Sequence, residues 1–133
     1  MASLGMVTVL VDDYDRGIKY FTQALGFSLI EDTPLSPEKR WVVIAPNLDR
    51  GACILLAKAS SPEQISAIGY QTSGRVGFFL YTEDFDRDYS AMREKGVDFV
   101  ELPRQESFGK VVVFNDLFGN KWDFIERRPQ LVC

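Results

Sequence analysis

The chain repeats itself. VDDYDR at 11–16 returns as TEDFDR at 82–87, an offset of 71 residues. The likeness persists downstream with a small drift: Gly26-Phe27-Ser28-Leu29-Ile30-Glu31 aligns with Gly96-Val97-Asp98-Phe99-Val100-Glu101 at an offset of 70, and Gly51 with Gly119 at 68. Two or three loop deletions account for the drift, so the 133 residues are read as two copies of one unit of supersecondary structure. Module 1 is placed at about residues 5–57, a linker at about 58–74 and module 2 at about 75–127, all within a single domain spanning 1–133.

Within each copy the local signals agree. Each module opens on a β-branched run, residues 7–11 and 76–81, which predicts a strand. Asp13 and Asp84 then stand where helix N-caps belong, followed by apolar side chains at i, i+4 and i+7: Tyr14, Ile18 and Phe21 in one copy, Phe85, Tyr89 and Met92 in the other. Gly26 and Gly96 are expected to end these helices, since the left-handed residue that follows a helix is usually glycine. Three more strands follow in each module, near 27–31, 41–45 and 53–57, then 97–102, 111–115 and 121–125. Pro34, Pro37, Pro46 and Pro103 and the turns at Gly109 and Gly119 punctuate them. The linker contains Ser61-Pro62-Glu63-Gln64, which caps one short helical turn with proline at its first position. The order is βαβββ twice, an α+β class.

Composition then removes whole chemistries. There is no histidine, so Ser-His-Asp and Cys-His nucleophile systems, His-based zinc sites and the two-His-one-carboxylate iron triad have no imidazole in this chain. A net charge of -4 offers no footprint for a polyphosphate partner, and no nucleic acid is expected. No apolar run approaches the roughly 20 residues that span a bilayer, and the start MASLGMVTV lacks a basic targeting segment, so the expected address is the cytoplasm, with no membrane partner. Cys53 and Cys133 are read as reduced thiols, Cys53 as a small core residue within ACILLA. The acidic residues Asp12, Asp13, Asp15, Asp84, Asp86 and Asp88 resemble a metal cluster on paper, but their places at two helix starts make them caps and first-turn carboxylates.

Three stretches carry a family likeness: VLVDDYDRGIKYFTQALGF at 9–27, FLYTEDFDRDYSAMREKGVDF at 79–99 and the closing strand-turn-strand NDLFGNKWDFIE at 115–126. A doubled βαβββ unit with this D-x-x-G-N-x-W ending resembles the vicinal oxygen chelate superfamily, which includes glyoxalase I, bleomycin resistance proteins and extradiol dioxygenases. The resemblance implies curled mixed sheets around a cavity, and a homodimer as the partner state. It also implies where metal ligands would lie, on the first and last strands of each module. Carried through the repeat, those positions are Met6, Leu55, Gly77 and Asp123, and of these Asp123 alone suits a divalent cation. The metal is therefore expected to be absent, and no cofactor is assigned.

Side chains alternate faces along a strand, so Lys121 and Ile125 share the side of Asp123, while Trp122 and Phe124 face the helix. The same parity turns Thr8, Leu10, Cys53 and Ala57 to the cavity in module 1, with Trp41 or Val43 from the third strand, and Arg75, Phe79 and Tyr81 in module 2. Trp41, Leu55, Arg75, Gly77, Phe79, Tyr81, Lys121 and Asp123 are thus the candidate ligand-binding residues. The lining is apolar and aromatic with few polar groups, the composition of a small-molecule pocket. Three functions compete: a non-catalytic binder of an aromatic or planar molecule; an enzyme with Asp123 as base and Arg75 or Tyr81 stabilising an oxyanion; and a structural or regulatory descendant that binds nothing. The first is preferred, because three ligand positions are lost while the aromatic lining is kept.

Overall fold

A computed structural model describes residues 1–127, whose strands lie in two separate sheets within two compact units, residues 1–68 and a second beginning at Gly69. Cys133 lies outside the described residues. Mixed α+β architecture and the doubled module are both present.

In the first unit β1 (Met6–Val11) runs parallel to β4 (Cys53–Lys58), and β3 (Arg40–Ala45) joins β4 to β2 (Ser28–Pro34) in antiparallel fashion, giving the order β1-β4-β3-β2. Helix α1 (Tyr14–Lys19) is capped by Asp13, whose side chain accepts from the Arg16 amide, and continues as one π-helical turn over Tyr20–Ala24. The buried stripe departs from the expected one within α1: Tyr14, Gly17 and Phe21 are buried, while Ile18 stays half-buried. Phe21 is fully buried and stacks on Phe27 at 5.7 Å. Opposite it, Val9, Val42 and Leu56, aligned across three strands, are fully buried.

β2 runs further than its prolines suggest. It is an edge strand, so Pro34 at its end removes no ladder hydrogen bond that an inner strand would need. Arg40 holds this hairpin shut: its guanidinium donates to both Asp32 oxygens at 3.1 and 2.7 Å and to Asp15 at 3.0 Å, and lies over the Tyr14 ring. Beyond β4, α2 (Pro62–Ala67) occupies much of the expected linker, with the Ser61 hydroxyl oxygen accepting from the Gln64 amide.

The second unit repeats the plan. β5 (Val76–Thr82) is parallel to β9 (Lys121–Glu126), which pairs antiparallel with β8 (Gly109–Asn115). Helix α3 (Phe85–Glu94) starts at the Asp84 cap and ends before Gly96, whose φ is +82°. The single strand expected at 97–102 is instead two fragments, β6 (Asp98–Phe99) and β7 (Arg104–Glu106), both paired with β8. The reason is chemical. Pro103 interrupts the strand, and the Glu101 carboxylate accepts from the Val113 amide at 3.0 Å, replacing the backbone acceptor that a continuous strand would supply.

The β8–β9 turn is organised by one buried side chain. Asp116 accepts at Oδ1 from the amides of Phe118, Gly119 and Asn120 at 2.9 to 3.0 Å, and at Oδ2 from Asn120 Nδ2 at 3.1 Å and Trp122 Nε1 at 2.9 Å. This is the physical content of the D-x-x-G-N-x-W signature: the aspartate replaces a hydration shell for five donors and so fixes the register with which β9 enters the sheet.

Candidate functional site

The register of β5, β9 and β8 sets the site in the second unit. On one face Phe78, Trp122 and Phe114 align, with Phe78 and Phe114 stacked on Trp122 at 4.6 and 5.7 Å, and Phe124 packs on Phe85 of α3 at 5.3 Å. That face is core. On the other face the rows are Phe79, Asp123 and Val113, then Tyr81, Ile125 and Val111. Alternation brings Phe79, Tyr81, Lys121 and Asp123 to one side, as their sequence parity predicts.

This second face is unevenly covered. Phe79 is 57% exposed and Tyr81 44%, whereas Ile125, opposite Tyr81 on β9, is buried. Asp123 is half-buried, and its Oδ1 is shut off from solvent with no hydrogen-bond partner among the described residues. Burial raises its carboxyl above the usual carboxylate value; the Arg104 charge opposes this and the Glu101 charge adds to it. Arg104 acts on Asp123 by charge alone, because its guanidinium bonds to Glu101 at 3.1 Å and to Glu106 at 2.8 Å. Lys121 Nζ reaches Asn115 Oδ1 at 3.5 Å, and the Arg127 guanidinium lies 5.1 Å from the Tyr81 ring centroid.

Two candidates are placed differently from their expected positions. The β5–β9 register slips by one residue at Gly77, between the pairs Val76 with Lys121 and Phe78 with Trp122. The alternation that links Asp123 to Phe79 and Tyr81 therefore does not extend back to Arg75, which precedes the strand in a turn where its amide donates to the Thr72 carbonyl at 3.2 Å. Gly77 is a packing position: a Cβ built there would stand 2.7 Å from the Thr72 methyl. In the first unit Leu55 pairs with Thr8 and Val43, and Trp41, two residues before Val43 on β3, shares their face and is half-buried. The third-strand register left open by sequence is thereby fixed, with Trp41 and Val43 on the same side.

The structure adds residues that the sequence pattern did not single out. Glu101, Arg104 and Glu106 gather beside the Asp123 row because the chain, past the break, continues along β8 as β7. The one available signal was charge alternating around a proline in ELPRQE.

The register also tests the metal positions implied by the family likeness. The residues opposite Leu55 and Asp123 are Thr8 and Phe79, while Met6 faces Cys53 and Gly77 is the bulge. Among the described residues, no three Cys, Asp or Glu side chains gather closely enough to hold a metal ion. A lone carboxylate beside a phenyl ring is a poor donor set for a divalent cation.

Comparison with known proteins places this architecture. The Glyoxalase/Bleomycin resistance protein/Dioxygenase superfamily model matches residues 3–124. The chain belongs to this superfamily. Superfamily membership agrees with the mixed α+β architecture of two curled sheets. A protein of Shewanella frigidimarina (strain NCIMB 400), described as uncharacterized, is 46% identical over 125 residues, with 93% of each chain covered. The crystal structure of UcmS2 superposes with a TM-score of 0.82 at 29% identity, covering 95% of this chain and 98% of that one. TnmS3, an antibiotic binding protein from Streptomyces sp. CB03234, shares the fold with a TM-score of 0.76 at 23% identity, over 96% and 98% of the two chains. Among the described residues no helix is long and apolar enough to cross a membrane.

Proposed function

We propose that this superfamily member is a small-molecule binding protein that holds an aromatic or planar compound without metal-assisted turnover. The observation that carries the reading is the sheet face bearing Phe79 and Tyr81, two large aromatics of β5 left 57% and 44% exposed beside the half-buried Asp123 carboxylate of β9. Packing explains aromatics that are buried; it gives no reason to leave two neighbouring rings in water on a face that also encloses Asp123. Flat rings offer area to a flat ligand at low conformational cost, since each has two χ angles to fix. In the first unit Thr8 and Leu55 stand where Phe79 and Asp123 stand in the second, with Trp41 further along the same face.

The donor set supports binding over inherited chemistry, because glyoxalase- and dioxygenase-type reactions on this scaffold need a metal that these residues do not suit. Antibiotic binding by TnmS3 shows that the fold serves this role elsewhere. The raised carboxyl of Asp123 favours one second reading, a metal-free enzyme in which it is the general base. We take the protein to be one domain, a homodimer and cytoplasmic.

The test is isothermal titration of chelator-treated protein against a panel of planar aromatic compounds, with each compound recovered and checked by mass. Expected is saturable binding at one site per chain that persists in EDTA, weakens on Phe79→Ala and returns the compound unchanged. Binding that requires added metal, chemical conversion of the compound, or no binding across the panel would overturn the proposal.

A further inference from the structure

Resting on that reading, we propose that the face around Asp123 selects planar compounds that carry a cationic amine, the amine lying against the Asp123 carboxylate and the ring against Phe79 and Tyr81. Three observations lead there. The first is the orphaned oxygen: Oδ1 of Asp123 is sealed from water without a hydrogen-bond partner among the described residues. That oxygen has lost its solvation and gained no hydrogen bond in return. A neutral donor on the accessible side of the group would satisfy one lone pair. A cation at the same place stabilises the whole carboxylate charge, including the part on the sealed oxygen, so it recovers more.

The second is the charge balance of the surroundings. Asp123, Glu101 and Glu106 are three carboxylates, and Arg104 is the cation bonded among them. Arg104 is shared by Glu101 and Glu106, so its charge acts on Asp123 but its hydrogen bonds do not reach it. Lys121, on the same strand face, is turned to Asn115. Neither Arg104 nor Lys121 donates to Asp123, so its carboxylate is open to meet an anionic ligand with repulsion and an ammonium with attraction.

The third is the aromatic row. Phe79 is paired directly with Asp123 in the β5–β9 register and is 57% exposed, so a ring stacked on it carries a substituent to the carboxylate. The faces of Phe79 and Tyr81 are themselves favourable to cations, and Arg127 over Tyr81 shows such a contact already made on this face.

Three probes of one size and shape separate the terms: 9-aminoacridine, a planar cation at neutral pH; acridone, planar and neutral; and acridine-9-carboxylate, planar and anionic. Fluorescence titrations of full-length protein are expected to rank them in that order. Asp123→Asn, which keeps the shape of the side chain, is expected to weaken 9-aminoacridine by about ten- to a hundred-fold, the worth of a charge-assisted hydrogen bond, and to leave acridone within about threefold. Melting temperatures of the parent and variant confirm that both are folded. Equal affinity for the three probes, or loss of acridone and 9-aminoacridine alike on Asp123→Asn, overturns the amine preference and leaves aromatic binding standing. Failure of all three to bind the parent protein overturns both proposals.

Discussion

Removing the carboxylate of Asp116 should cost this protein a large share of its stability. Asp116 is 5% exposed and accepts from five donors, two of them on the buried side chains of Asn120 and Trp122. Asp116→Ala takes the acceptor from all five at once. At a net worth of about 1 kcal/mol per bond, and with the usual failure of neighbouring bonds to add, the loss is about 4 kcal/mol. That compares with a total of about 5–15 kcal/mol for a domain of this kind. Asp116→Asn separates hydrogen bonding from volume. Its carbonyl oxygen can still accept from the three backbone amides, but its NH2 confronts Asn120 Nδ2 and Trp122 Nε1, donor against donor, for a loss of about 2–3 kcal/mol. Urea unfolding followed by tryptophan fluorescence and circular dichroism reads both values, provided that the slopes match the parent. If both variants stay within about 1 kcal/mol of the parent, the turn is held by its backbone alone and the role assigned to Asp116 is wrong.

Arg40→Ala should lose about 1–2 kcal/mol at neutral pH, because the bidentate bond to Asp32, the bond to Asp15 and the contact with Tyr14 go together. The Arg40 bond holds the Asp32 carboxyl below its ordinary value, so this stability is present above about pH 4 and is lost as pH falls through the folded-state value; thermal melts of both proteins should converge in acid. Asp123→Asn has the opposite sign. Burial raises the Asp123 carboxyl, so its ionised form opposes folding at neutral pH, and the variant should be the more stable by under about 1 kcal/mol at pH 7, the difference fading toward pH 4; a parent that is the more stable at pH 7 refutes this. Glu101→Ala should cost about 1–2 kcal/mol by stripping the Val113 amide of its acceptor, and Glu101→Gln, which keeps an acceptor, should restore most of it in the same unfolding assay.

Much of the fold was legible because the chain states it twice. The offsets of 71 and 68 residues between copies reappear in the sheets, where Thr8 pairs with Leu55 and Phe79 with Asp123. Asp13 and Asp84 cap their helices for reasons that act within four residues, so local sequence suffices to find them. Parity along β9 was equally safe, since period-two alternation holds wherever a strand is regular. What escaped reading were the irregularities. A one-residue bulge at Gly77 leaves no mark in composition, yet it ends the alternation that had put Arg75 on the site face. The break at Pro103 was visible, but a side chain taking over a backbone hydrogen bond, as Glu101 does for Val113, depends on a residue 12 positions away. Arg104 escaped for the same reason: its place beside Asp123 follows from the refolded edge of the sheet, which no spacing rule describes.

The most direct test of the binding account is native mass spectrometry of EDTA-treated, full-length protein mixed with a planar aromatic amine, then denatured to release the compound. One adduct per chain is expected on metal-free protein, with the compound released at its original mass. An adduct that forms only after a divalent metal is taken up at one ion per chain, or a compound released at a changed mass, would contradict it and restore metal-dependent chemistry on this scaffold.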